Sequence, residues 1–128
     1  MASPTPGQTN VGVAPNVGGL LCYVPCCIGF IFSVVVAIVE KQSRFVRFHA
    51  FQSLLLHGAA FVLWLGMWMV QMVLMLADLG LFLGTLLSLV GLLLGLAFLG
   101  LCIFLMIKAN GNEEIELPVI GPMARKWA

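Results

Sequence analysis

Residues 79–107 read LGLFLGTLLSLVGLLLGLAFLGLCIFLMI, and none of them is charged. A helix of about 20 apolar residues crosses the roughly 30 Å hydrocarbon core of a bilayer. At 1.5 Å per residue this stretch reaches about 45 Å, so it spans with tilt or protrudes into the headgroups. Two more stretches qualify: residues 48–77, whose ionisable side chains are His49 and His57, and residues 17–39. An open sheet cannot satisfy its edges in lipid, so the expectation is an all-α integral membrane protein with three transmembrane helices.

Composition points the same way. The chain has 128 residues, 62% hydrophobic and 9% charged, where a soluble chain carries roughly 25% charged residues. A domain this small leaves much of its surface exposed and cannot hide so much apolar area from water. Net charge is +1, too little to hold phosphates, so no nucleic-acid partner is expected. The lipid bilayer and other membrane protein subunits are the expected partners, and no soluble small-molecule substrate is predicted.

Between the last two stretches lies Ala77-Asp78-Leu79-Gly80. Asp78 can cap the next helix and Gly80 relaxes the backbone, which predicts a tight antiparallel hairpin of helices two and three. Lys41, Arg44 and Arg47 follow the first stretch, and Lys108, Arg125 and Lys126 follow the third. With three spans both basic regions share a side, so the N-terminus is predicted outside and the C-terminus in the cytoplasm. Residues 1–16 are rich in Pro, Gly, Ser, Thr and Asn and read as a flexible external tail. Residues 17–128 read as one membrane domain, ending in a cytoplasmic tail over 108–128.

On the second helix His49, Ser53, His57, Gln71 and Asp78 fall within a sector of about 80°, with Gln52 outside it. Polar groups in lipid need protein, water or ligand, so this face is expected to meet a protein surface. His57 carries two readings: an interhelical hydrogen bond, or an axial ligand to haem or chlorophyll magnesium. On the third helix Gly80, Gly84, Ser88, Gly91 and Gly95 share a face at small-xxx-small spacing, which predicts close helix packing. Cys22, Cys26, Cys27 and Cys102 match no metal-binding spacing and are expected to be reduced and unligated. No phosphate loop, HExxH or nucleophile elbow is present, so no catalytic or metal residue is assigned and no enzyme is expected.

The stretch EKQSRFVRFHAFQS over residues 40–53, with LLCYVP at 20–25 and ELPVIG at 116–121, resembles the signature of a widespread bacterial family of small membrane proteins. That family is related to the channel-forming import component of the chloroplast inner envelope. The resemblance implies three or four transmembrane helices, a basic cytoplasmic loop and, from the plant relatives, a part in a protein-translocation channel. It places the chain in a bacterial cytoplasmic (inner) membrane. Arg44, Arg47 and Trp127 suit the headgroup interface as anchors. The reading from the residues themselves is a non-catalytic accessory subunit of a larger membrane complex, of a photosynthetic or respiratory kind.

Overall fold

The computed structural model describes residues 9–25 and 27–128, and the regular structure among them is helical. In chain order the helices are α1 (Pro15–Cys22), α2 (Cys27–Val39), α3 (Arg44–Leu76), α4 (Thr85–Asn110) and α5 (Ile120–Trp127), with a π-helical turn at Gly80–Gly84 leading into α4. The described runs Arg44–Leu76 and Gly80–Asn110 are each long and apolar enough to cross a membrane. The chain divides into two compact units, residues 1–57 with 101–128, and residues 58–100. Of the tail expected over 1–16, residues 1–8 lie outside the described part.

The single helix expected over 17–39 is not formed. Two helices of 8 and 13 residues take its place, and neither reaches the length of a span. Pro25 is the cause: it lacks an N–H, and its ring drives the preceding Val24 away from helical geometry. α1 closes with short-range bonds from Tyr23 N–H to the Leu20 carbonyl (3.1 Å) and from Val24 N–H to that of Leu21 (3.4 Å). α2 then starts hard against this break. A Cβ at Gly29 would overlap the Val24 carbonyl oxygen and lie 2.9 Å from that of Cys22, so glycine is required there.

The two helices run antiparallel. Ser33 Oγ, midway along α2, lies 3.2 Å from the Cys22 carbonyl at the end of α1, and beyond the start of α1 Asn10 N–H donates to the Glu40 carboxylate just past the end of α2 (2.6 Å). Residues 9–11 therefore lie at the same end of unit one as the basic loop over 41–47. A single helix over 17–39 would have held these two segments a helix length apart; the clasp between Asn10 and Glu40 joins them instead. Glu40 also accepts from the N–H groups of Gln42 and Ser43, both at 2.9 Å, at the start of α3, and Lys41 N–H donates to Asn10 Oδ1 (2.9 Å). Burial pushes the Glu40 carboxyl up, but these backbone donors outweigh it and hold the group below the ordinary glutamate value.

The rest of unit one closes around α1. Gly18 faces Val46, while Gly19 lets α1 approach His49, Phe45 and Ala109. Cys22, Val36, Phe45, Val46 and Ala50 form the apolar core. Beyond α4 the chain returns across α3 as a strap. Arg125 pairs with Glu114 (3.0 Å) and Glu116 and lies 4.8 Å above the Phe48 ring. Arg47 donates to the Glu40 carbonyl at the end of α2 (2.6 Å) and to that of Trp127 (3.4 Å).

Unit two is a helical hairpin. Asp78 does not cap the second arm; it sits at φ 61°, where Leu79 N–H returns to the Leu74 carbonyl (3.0 Å). Asp78 thus supplies the left-handed residue that ends α3, a task its short polar side chain tolerates. Along the seam, a Cβ at Gly84 would come 2.5 Å from Gln71 Nε2, and one at Gly91 3.1 Å from Met67 and 3.3 Å from Trp64. The small residues of one arm thus receive the bulky ones of the other.

Candidate functional site

The polar side chains of unit one meet at the break between α1 and α2. The end of α1 leaves carbonyls without helical partners, and in lipid each must be satisfied from within the protein. The Cys22 carbonyl accepts from Ser33 of α2 and from Ser53 of α3. Both hydroxyls are fully buried; Ser53 gives its proton to this oxygen, while Ser33 shares its single proton between the Gly29 carbonyl one turn back (2.7 Å) and that of Cys22.

One turn away, Tyr23 Oη lies 3.0 Å from His49 Nδ1 and 2.9 Å from Gln52 Nε2. Gln52 also donates to the Ile115 carbonyl (2.9 Å) and accepts from Leu117 N–H (3.1 Å) through Oε1. These backbone partners fix the amide orientation, because a carbonyl must meet NH₂ and an N–H must meet oxygen. Gln52 gives its second amide hydrogen to Tyr23 Oη, and the same oxygen is hydrogen-bonded to His49 Nδ1, the direction of that bond being set by the imidazole tautomer. The His49 ring packs edge-on against Tyr23, Phe45 and Phe48, with centroids 4.6–5.5 Å apart. Nε2 is buried beside the Glu113 backbone without a well-formed hydrogen bond among the described residues.

The polar face expected on α3 is divided between the units. His49, Ser53 and His57 belong to the cluster in unit one. His57 Nδ1 lies 2.8 Å from the Ser53 carbonyl and 3.1 Å from Ser53 Oγ, and its ring meets Phe30 edge-on. Gln71 and Asp78 lie in unit two. Gln71 and Ser88 both line two open clefts of about 340 and 430 Å³ along the hairpin seam. Of the residues expected at the interface, Arg44 is exposed, Arg47 is engaged with α2 and the strap, and Trp127 packs against Phe51. Cys22, Cys27 and Cys102 are free thiols, and Cys26 lies outside the described residues.

Tyr23, Gln52 and Glu40 have no assigned role in the sequence reading, yet they organise the site. Tyr23 is the single tyrosine of the chain, and Gln52 and Glu40 stand in the 40–53 stretch quoted above. Their types and places in that stretch were the available signal.

Residues 8–124 match the family model described as the magnetosome magnetite crystal formation protein family, MamF/MmsF. The chain belongs to this family. A UPF0132 membrane protein of Methanocaldococcus jannaschii is 36% identical over 122 residues, covering 95% of this chain and 96% of the relative. A UPF0132 membrane protein of Archaeoglobus fulgidus is 34% identical over 112 residues, covering 87% and 92%. A second M. jannaschii protein of that designation is 27% identical over 117 residues. No solved structure matches the chain. These matches overturn the relation to the chloroplast import component, and the translocation role that rested on it falls with it. The MamF/MmsF model and these archaeal relatives carry no photosynthetic, respiratory or transport designation.

Proposed function

We propose that the chain is a non-catalytic structural component of a prokaryotic cytoplasmic membrane, a subunit that acts through what it packs against. The observation that carries this reading is how unit one uses its polar side chains. Ser33, Ser53, Gln52 and Glu40 direct their hydrogen bonds to the chain's own backbone, and Tyr23 to Gln52 and His49. Catalysis instead needs an acid, base or nucleophile with reach to a bound substrate.

The membrane arrangement belongs to the same proposal. Arg44–Leu76 and Gly80–Asn110 cross the bilayer, and α1 and α2 enter and leave it on one side. All six basic residues, Lys41, Arg44, Arg47, Lys108, Arg125 and Lys126, belong to unit one. The positive-inside rule then puts that side in the cytoplasm, and the Asn10–Glu40 clasp brings the start of the described chain with it. The family's description names magnetite crystal formation. Carried over to this chain, that description makes magnetite crystal formation the process it serves, with lipid and other membrane subunits as partners.

Reporters fused at the two ends test the arrangement, and both are expected to behave as cytoplasmic. An external N-terminal reporter would overturn it. Mild-detergent extraction followed by mass spectrometry of intact particles tests the structural role. A defined assembly, of this chain or with others, is expected, and a solitary monomer would refute the reading.

A further inference from the structure

We propose that the α1–α2 hairpin makes this protein selective for membrane curvature, favouring bilayers in which the leaflet that holds the hairpin is convex. The inference rests on the re-entrant arrangement proposed above. α2 has 13 residues and is therefore about 20 Å long. That is the depth of one leaflet with its headgroups, about half of the 40–45 Å of a whole bilayer.

The surface of the hairpin suits that depth. Ile28, Ile31, Val35 and Ile38 are exposed and recur every three or four residues, so they form one apolar stripe along α2. The mouth is polar, closed by Asn10, Lys41 and Glu40. Where α1 ends, the Cys22 carbonyl is met by Ser53 of α3 and by Ser33, midway along α2, so the chain turns within lipid without calling in water. Acyl chains of a single leaflet are the occupant that fits this stripe: apolar along its length, bounded by a polar rim at one end, and too short to meet the opposite leaflet.

Each helix is about 10 Å across with its side chains. The hairpin therefore adds two helical cross-sections to one leaflet and none to the other. A leaflet crowded in this way relaxes by bending outward, and helices inserted into one face of a bilayer respond to its curvature for the same reason.

The test uses the full chain, labelled at its C-terminus and reconstituted into giant vesicles of phosphatidylcholine and phosphatidylglycerol. Membrane tubes are drawn from the vesicles, and label density on tube and flat membrane is compared, normalised to a lipid dye. An impermeant quencher separates the two orientations. Protein with its C-terminus outside should be enriched on the tube, increasingly as the tube narrows, and protein with its C-terminus inside should be depleted. The triple variant Ile28→Gln, Ile31→Gln, Ile38→Gln changes exposed side chains only. Its tube-to-flat ratio should return to one while its melting temperature stays near that of the parent. A ratio of one for the parent in both orientations overturns the proposal, whatever the variant does. A triple variant that folds and still sorts like the parent overturns it too. Protease protection of tags at the two ends separates this failure from that of the underlying reading. Ends on opposite faces refute the re-entrant arrangement; ends on one face with no sorting refute the curvature inference alone.

Discussion

Replacing Gln52 with leucine removes the residue that joins α1, α3 and the C-terminal strap. Gln52 is fully buried and makes three hydrogen bonds, to Tyr23 Oη, to the Ile115 carbonyl and from Leu117 N–H. Leucine is of similar size, so little cavity is created and the loss is that of the bonds and of the backbone groups they leave unpaired. At about 1 kcal/mol or more for each, the cost is at least about 3 kcal/mol, roughly a hundredfold or more in the unfolding equilibrium. Tyr23→Phe removes the two bonds at the hydroxyl and should cost about 2 kcal/mol. Because the Tyr23–Gln52 bond is shared, the double variant should fall short of the sum by about 1 kcal/mol. Unfolding by SDS in mild micelles reads these differences. Trypsin gives a local readout, since a released strap exposes Arg125 and Lys126 and should be cut sooner. If Gln52→Leu unfolds with the parent and its strap is cut at the parental rate, the amide does not hold the strap and the reasoning fails.

Gly29→Ala and Gly84→Ala should separate cleanly in thermal unfolding. The first pushes Cβ into the Val24 carbonyl, which is backbone, and should cost at least about 1–3 kcal/mol; the second meets the mobile end of Gln71 and should be nearly neutral. The Asn10–Glu40 clasp should weaken in acid. The Glu40 carboxyl is held below its ordinary value of 4.5, so its contribution is complete above that pH and is lost as pH falls through the lower folded value. Hydrogen exchange at the Asn10 and Ser43 amides should accelerate over that range, and Glu40→Gln should abolish the dependence. Arg125→Ala should cost no more than about 1 kcal/mol, because the pair with Glu114 and Glu116 is partly exposed. It should nonetheless speed trypsin cleavage at Lys126, and salt should reproduce part of that effect in the parent.

Membrane residence could be read from residues 48–77 and 79–107 because apolar length depends on composition alone, and composition does not change on folding. The turn at Ala77-Asp78-Leu79-Gly80 was equally legible, since no bilayer accommodates one helix running through both stretches. The path of residues 17–39 was not. An apolar stretch has the same hydropathy whether it spans or turns back, and Pro25 is tolerated in many membrane helices. Pro25 makes a break possible, but what turns the break into a hairpin and not a kink is remote in sequence: Ser53 meeting the Cys22 carbonyl, and Glu40 meeting Asn10. Gln52 illustrates the same point. Helical periodicity set it apart from the polar face of His49, Ser53 and His57, because periodicity sorts residues by angle around one helix. Its partners Tyr23, Ile115 and Leu117 come from two other segments, and only the folded chain brings a lone amide to the backbone groups that need it.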